Sequence, residues 1–445
     1  MAFTSKFVFY YPLLMAYLWM TGGILHFLIV ELKDRGKTVP DFTGEYPKVS
    51  IVVPCYNEAD NVCEVIACLN EINYPNYDII AVNDGSRDKT GEILNALVDR
   101  YPKLTVIHQH RNEGKAVGLT TAAMLSDAEF LMCIDGDSLL DRHAVRWMLR
   151  HFADPGVGAV TGNPRIRTRT SLLGRMQVGE FSAIVGLIKR TQQMYGRLLT
   201  VSGVVSMFRK SALQDVGYWS SDILTEDIDI SWKLQVGGWK IHFEPRALSW
   251  ILMPETIRGL YRQRLRWAEG GIQVLFKYAR ALVEHRKVMM MPIFIEYVTS
   301  IAWSYCMVFL LIATIAKSIA GARMGSHLSG EGILPHGKSL MLFATCCLQI
   351  LIGCLLDRTY DSGLLRYFLD TIWFPVAFWI INLVASVMAL PRVLMKRQRE
   401  RARWVSPDRG IRVGPGAARD TLETLPALGE AGTAPASYGA LKSSS

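Results

Sequence analysis

Four long apolar stretches punctuate the chain: Phe7 to Val30, Met289 to Ala316, Leu340 to Leu356 and Tyr367 to Leu390. Most reach or exceed the roughly 20 apolar residues that cross a bilayer, with Leu340 to Leu356 at the short end of that range. Between the first and second, apolar and charged positions mix as they do in a globular domain. Within that span the unbroken apolar run Val49 to Pro54 predicts a buried strand, and so do Asp78 to Val82, Leu104 to His108, Phe130 to Ile134 and Val157 to Gly162. Helical spacing covers Asn61 to Leu69, Asp88 to Arg100, Ala116 to Leu125 and Leu172 to Tyr195. Strands and helices alternating at this pace predict an α/β, doubly wound, mostly parallel sheet with N- and C-terminal transmembrane helices. Ligands of such sheets bind beyond the carboxyl ends of the strands, where Asp84, Asp135 and Asp137 fall.

The pattern divides the chain into an N-terminal membrane anchor (1–32), a cytosolic domain with interfacial helices (46–287), a membrane region (288–395) and a basic, then disordered tail (396–445). The first apolar run is too long for a signal peptide, and no small-residue cleavage site is evident. Lys33, Arg35 and Lys37 follow it, and Lys277, Arg280, Arg286 and Lys287 precede the second, so positive charge at both places assigns the central domain to the cytoplasm. One crossing before that domain and three after it would leave the tail outside. The run Lys396, Arg397, Arg399, Arg401 and Arg403 argues that it stays inside, which leaves a re-entrant segment, a partner subunit or an exception to the charge rule.

Forty-nine Lys+Arg against 40 Asp+Glu suit anionic headgroups and a phosphate-bearing substrate, and the excess is too small and dispersed for nucleic acid. Eight cysteines without a Cys-x-x-Cys pair indicate neither a zinc site nor a disulfide framework. Arg397 and Arg401 have the Arg-x-x-x-Arg spacing of cyclic-dinucleotide receptors, but the companion motif is missing and a headgroup-binding run is the stronger reading.

Three carboxylates crowd into Glu226, Asp227 and Asp229. Like charges this close raise one another's pKa, which makes a cleft carboxylate a base near neutral pH. A helix start capped by Thr225 accounts for the same residues, and the two readings are compatible. Asp135-Gly136-Asp137 at a strand end is either a turn or a seat for a hard divalent cation, Mg²⁺ or Mn²⁺, and Asp84 adds a second strand-end carboxylate. Gly114-Lys115 at a helix start can set backbone donors and a cation against a diphosphate, although the pattern of a P-loop is absent. Gln263, Arg266 and Trp267 supply an amide, a guanidinium and an indole for a diphosphate and a sugar face, or else belong to an amphipathic helix on the membrane surface.

Taken in order, Val53-Pro54-Cys55-Tyr56-Asn57-Glu58, Asn83-Asp84-Gly85-Ser86, Asp135-Gly136-Asp137, Thr225-Glu226-Asp227 and Gln263-Arg264-Leu265-Arg266-Trp267 resemble the motifs of processive glycosyltransferase family 2. Within it, Trp250 to Thr256 and Trp404 to Gly410 look like the bacterial enzymes that polymerise N-acetylglucosamine into a β-1,6-linked biofilm exopolysaccharide. A short N-terminus and a long Ala/Gly-rich tail depart from that pattern. The resemblance implies a glycosyltransferase A-type fold in the bacterial inner membrane. Tyr56, Glu58, Asp84 and Lys115 would hold the uridine and diphosphate, with Asp135 supporting the nucleotide and Asp137 carrying the metal. Asp227 would be the catalytic base, Gln263 and Arg266 would grip the leaving diphosphate, and Trp267 would stack on the acceptor sugar. It also implies UDP-GlcNAc and the growing poly-GlcNAc chain as substrates and contact with membrane lipid, while the conflict over the tail points to a small membrane partner subunit and the Arg397/Arg401 spacing leaves activation by cyclic di-GMP open. Related synthases of hyaluronan, chitin or cellulose share the motifs, and a catalytically idle scaffold is opposed by the intact Asp137, Asp227 and Arg266. Trp303, Trp373, Phe374 and Trp379 are either a sugar-stacking track or, for any one of them, an interfacial or lipid-facing side chain.

Overall fold

A computed structural model describes residues 2–34, 36–40, 45–284, 288–323 and 336–395; the basic tail and the 404–410 block lie outside the described residues. Eight strands form one sheet: β1 (Val49–Cys55), β2 (Tyr77–Asp84), β3 (Leu104–Gln109), β4 (Phe130–Cys133), β5 (Leu139–Leu140), β6 (Val157–Ile166), β7 (Ser206–Arg209) and β8 (Lys240–Ile251), in the order β3-β2-β1-β4-β7-β6-β8-β5. The β3-β2-β1-β4 half is parallel, as its apolar runs predict. The other half is mixed: β7 lies antiparallel between β4 and β6, β6 and β8 are parallel, and β5 closes the edge antiparallel to β8. The sheet is therefore more mixed than the pattern alone predicts.

Alternation along the parallel strands fills both faces. Ile51, Val53, Ile79, Ala81, Phe130 and Met132 point to one core, against α2 (Val62–Asn70), α3 (Thr90–Val98) and α5 (Ala144–Leu149). Val52, Ile80, Val82, Leu131 and Cys133 point to the other, against α4 (Lys115–Leu125), α8 (Lys210–Val216) and α9 (Glu226–Val236). Helices on both faces of a central sheet are the stable solution for strands that are apolar on both sides.

Among the described residues, four helices are long and apolar enough to cross a membrane, at Phe3–Glu31, Val288–Ala320, Gly337–Asp357 and Phe378–Met395. They belong to α1 (Ala2–His26, extended by a π turn), α11 (Met291–Arg323), α12 (His336–Asp357) and α13 (Phe374–Met395). The start of the fourth apolar stretch is not helical span. Leu364–Tyr367 and Leu369–Trp373 form 3-10 turns, and Asp370 accepts from Arg175 Nε at 2.8 Å on α6 (Leu172–Glu180). α6 runs through a π turn at Phe181–Gly186 into α7 (Leu187–Met194), and α10 (Ile257–Glu284) packs against α9 and α13. Phe374 is buried and stacks on Phe378, Trp303 donates to the Val8 carbonyl and packs edge-on to Trp379, and Trp373 is exposed.

One buried ion network ties these parts together. Arg190 of α7 reaches Glu31 at 2.6 Å and Asp357 at 2.8 Å, Arg165 of β6 reaches Asp357 at 2.5 Å, and Tyr360 donates to Glu31 at 2.7 Å. His26 adds a contact to Glu31 at 3.0 Å, and Arg165 also donates to Ser182 and Asn163. Charges this deeply buried persist only when each finds its counter-ion.

Candidate active site

The loops beyond β1, β2 and β4 form one surface. Asn57 adopts the left-handed conformation, its N–H donates to Ser86 Oγ at 3.0 Å, and its side chain accepts from the Arg87 N–H at 2.9 Å. The Glu58 N–H donates to Thr90 Oγ1 at 2.8 Å, which pins the Tyr56-Asn57-Glu58 turn to the β2 loop. Gly85 has φ +62°, and a Cβ there would stand 2.5 Å from the Arg111 carbonyl carbon, so only glycine lets the β2 loop reach the 111–114 turn. Asp84, wholly buried, accepts from the backbone N–H groups of Glu113 (2.8 Å) and Gly114 (2.9 Å). Burial raises its pKa, and the two N–H donors restrain that rise. Asp84 thus holds the turn that delivers Lys115 at the first position of α4.

Lys115 is the hub. Its Nζ lies 2.6 Å from Asp135 Oδ1 and 3.0 Å from Glu226 Oε1, and it donates to the Gly203 carbonyl at 3.2 Å. Burial alone would lower its pKa, but Asp135 and Glu226 raise it well above the ordinary lysine range. Burial would raise Glu226 too, and the Lys115 ammonium instead holds it below the usual range. The neighbouring Asp227 goes the other way. Burial, then the Glu226 charge, push its carboxyl up to about 6, against the pull of Lys115, Arg266 and the Ile228 N–H. Two adjacent carboxylates are thereby separated into one kept ionised and one poised near neutrality, a division that marks acid–base sites.

Asp137 is buried two residues from Asp135, with the Ser138 hydroxyl 3.5 Å from its Oδ1. Glu58 is adjacent: a Cβ on Gly136 would lie 3.0 Å from Glu58 Cγ. Among the described residues no three His, Cys, Asp or Glu side chains gather into a ligand cluster. All the cysteines are free, as the spacing indicates.

On α10, Arg266 is exposed toward solvent while its charge acts on both Glu226 and Asp227. The Gln263 amide oxygen is buried without a partner. Arg264 pairs with Glu180 at 2.7 Å and lies over the Trp267 ring at 4.5 Å, which fixes the indole against the apolar cluster of α6, α12 and α13. Gly270 is required because a side chain there would overlap Thr225, so α10 lies directly on the start of α9. Thr225 does occupy the position before α9, but its hydroxyl caps nothing. Tyr56 is half-buried in the turn after β1. The structure therefore brings Lys115, Asp135, Asp227 and Arg266 to one centre, with Glu58 and Asp137 beside it and Asp84 behind Lys115. Glu226 acts on Asp227 as the crowding of acids in the sequence suggests, whereas nothing in the sequence marks its pairing with Lys115 or the part of Gly203.

Carboxylates and a cation thus converge beyond the parallel strands, with the arginine-bearing α10 alongside them, an arrangement suited to a phosphate-bearing ligand. Residues 47–270 match the model of glycosyltransferase-like family 2. The chain belongs to glycosyltransferase family 2. It is 35% identical over 416 residues to the poly-β-1,6-N-acetyl-D-glucosamine synthase of Staphylococcus epidermidis, covering 91% of this chain and 98% of that one. To the synthase of Staphylococcus aureus it is 34% identical over 407 residues, with the same coverage. A mannosyltransferase from Pyrobaculum calidifontis, solved with GDP-Man and Mn²⁺, shares the fold at a TM-score of 0.59 and 18% identity, covering 89% of this chain and 100% of that one.

Proposed function

We propose that this chain polymerises N-acetylglucosamine from UDP-GlcNAc into a β-1,6-linked exopolysaccharide at the bacterial inner membrane, its sheet domain in the cytoplasm. The observation that carries the reading is Asp227, a carboxylate held near neutrality beside a fixed cation. Its Oδ takes the proton of the acceptor hydroxyl while that oxygen attacks C1 of the donor sugar from the face opposite UDP. The C1–O bond to the diphosphate breaks, UDP leaves with the electron pair, and the α-linked donor becomes a β-linked product. Lys115 and Arg266 are the protein cations assigned to the diphosphate, Gln263 assists them, and Tyr56, Glu58, Asp84 and Asp135 form the nucleotide side. Trp267 stacks on the acceptor's terminal sugar, supported by the Arg264–Glu180 pair.

The oxygen-only donors at this edge fit a hard divalent ion that takes most of its shell from phosphate and water, and Asp137 would hold it. Bound there, Mg²⁺ or Mn²⁺ supplies positive charge to the departing diphosphate. Were all four candidate spans among the described residues to cross, the chain after the last would lie opposite the sheet domain, and a small membrane partner subunit, a re-entrant segment or an exception to the charge rule would reconcile that with its basic run. Membrane lipid is the expected neighbour of α1, of α11 to α13 and of the basic run from Lys396 to Arg403, a stronger reading of that run than a cyclic di-GMP site at Arg397 and Arg401.

Membranes carrying the protein, given labelled UDP-sugars one at a time, should incorporate label from UDP-GlcNAc into polymer that a β-1,6-specific hexosaminidase degrades. Incorporation from UDP-glucose alone would overturn the substrate. Asp227→Asn should abolish synthesis with UDP binding nearly unchanged, and normal polymer from that variant would reject Asp227 as base.

A further inference from the structure

Among the buried ionisable groups outside the mechanism, Lys189 is the one whose contacts lead back to the site. Lys189 on α7 is only 6% exposed, and its Nζ donates to Thr161 Oγ1 of β6 at 3.0 Å. That same hydroxyl accepts the Ser202 N–H at 2.8 Å, and the next residue, Gly203, forms the wall against which Lys115 and Asp227 rest. Its carbonyl accepts from Lys115 at 3.2 Å, and a Cβ on it would stand 3.4 Å from Asp227 Oδ2. The contacts therefore run from Lys189 through Thr161 and Ser202 to the two residues at the centre of the reaction. The adjacent Arg190 is locked into the ion network with Glu31 and Asp357, so Lys189 has little freedom to move away. The ring of Phe243 on β8 lies 5.9 Å from the ammonium.

We propose that Lys189 is a positioning residue for the transfer reaction: from beneath the site it holds the Thr161–Ser202–Gly203 segment in place and adds a third positive charge, after those of Lys115 and Arg266, that favours the ionised form of Asp227. The proposal rests on Asp227 acting as the base. A lysine buried without a carboxylate hydrogen-bonded to it is costly unless a charge lies nearby. Burial pulls Lys189 down to about 7, and Asp227 is the group that holds it up. The charged groups acting on Asp227 come from four elements: Glu226 on its own helix, Lys115 on α4, Arg266 on α10 and Lys189 on α7.

The test uses full-length Lys189→Met and Lys189→Arg in membranes, with UDP release followed across pH. Lys189→Met should move the acidic limb of kcat/KM upward by about half a pH unit or more and lower kcat about tenfold, with the UDP-GlcNAc KM within about twofold. Lys189→Arg should restore the limb, because it returns the charge. A folded Lys189→Met whose limb does not move, or a Lys189→Arg whose limb lies as high as that of Lys189→Met, overturns the proposal. Should Lys189→Met not accumulate, Thr161→Val decides. It removes the hydroxyl and keeps the charge, so it should lower kcat without shifting the limb, and unchanged kcat there overturns the positioning role. Asp227→Asn separates the two readings: activity in that variant ends the base assignment, whereas an inactive Asp227→Asn with an unmoved Lys189→Met limb removes Lys189 alone.

Discussion

Glu226→Gln offers the sharpest check on how the site works. Asp227 is lifted from 3.8 to about 6, a difference worth about 3 kcal/mol between its protonation states. Burial is the largest cause and the Glu226 charge the second. Replacing Glu226 by its neutral isostere removes that second cause and leaves burial, Lys115 and Arg266 in place. A carboxylate pair in a cleft of effective dielectric constant about 20 interacts by a few kcal/mol at most, so a downward shift of Asp227 on the order of one pH unit is expected.

As the proposed base, Asp227 would work only when ionised, so activity is lost as pH falls through its pKa, and the acidic limb of kcat/KM in Glu226→Gln should move to lower pH. The weaker base should also lower the plateau rate about threefold, as Brønsted behaviour requires. UDP release from membranes, measured between about pH 5 and 9, reads both effects. Lys115 keeps Asp135 and the Gly203 carbonyl as partners, so the donor KM should change far less than the limb. A limb that stays where it is, or rises, would refute the assignment of Glu226 as the charge that tunes Asp227.

Two further outcomes are expected. Chelating divalent ions should stop UDP release, Mg²⁺ or Mn²⁺ should restore it, and Asp137→Ala should need a much higher ion concentration; synthesis indifferent to a strong chelator would remove Asp137 from its assigned role. Gly85→Ala forces a side chain into the left-handed region and into the Arg111 backbone, so it should cost about 1–3 kcal/mol of stability and raise the donor KM. Thermal unfolding of the purified protein and substrate titration check it.

The parallel half of the sheet was legible because strands buried on both faces must be largely apolar, as Val49 to Pro54 and Ile79 to Val82 are. In the mixed half only β6 was legible, as Val157 to Gly162. β8 carries Lys240, His242, Glu244, Pro245 and Arg246, a run with too many polar groups to stand out, and β7 is four residues long. Their burial comes from partners distant in sequence: Glu244 is sheltered by Arg150 and His151. Tyr367 to Trp373 looked like membrane because it is apolar, yet Asp370 is paired with Arg175 of α6 and the segment turns there. The acids and the arginine of the site were legible by type and order. What no spacing could reveal was that Lys115 would stand between Asp135 and Glu226, since that juxtaposition needs the 111–114 turn, α9 and the β4 loop to meet.

The buried network around Arg190 bears on how the molecule is made. Its acidic members reach the ribosome's exit far apart in time: Glu31 ends the first membrane helix and Asp357 ends the third, while Arg165 and Arg190 emerge between them. Until Asp357 arrives, Arg190 has Glu31 as its one carboxylate in the network and Arg165 has none, so Arg165 must stay hydrated. Completion of the network is thereby deferred to a late stage of synthesis, so a chain truncated before its third hydrophobic helix would display Arg165 as a naked cation, the mark of unfinished assembly.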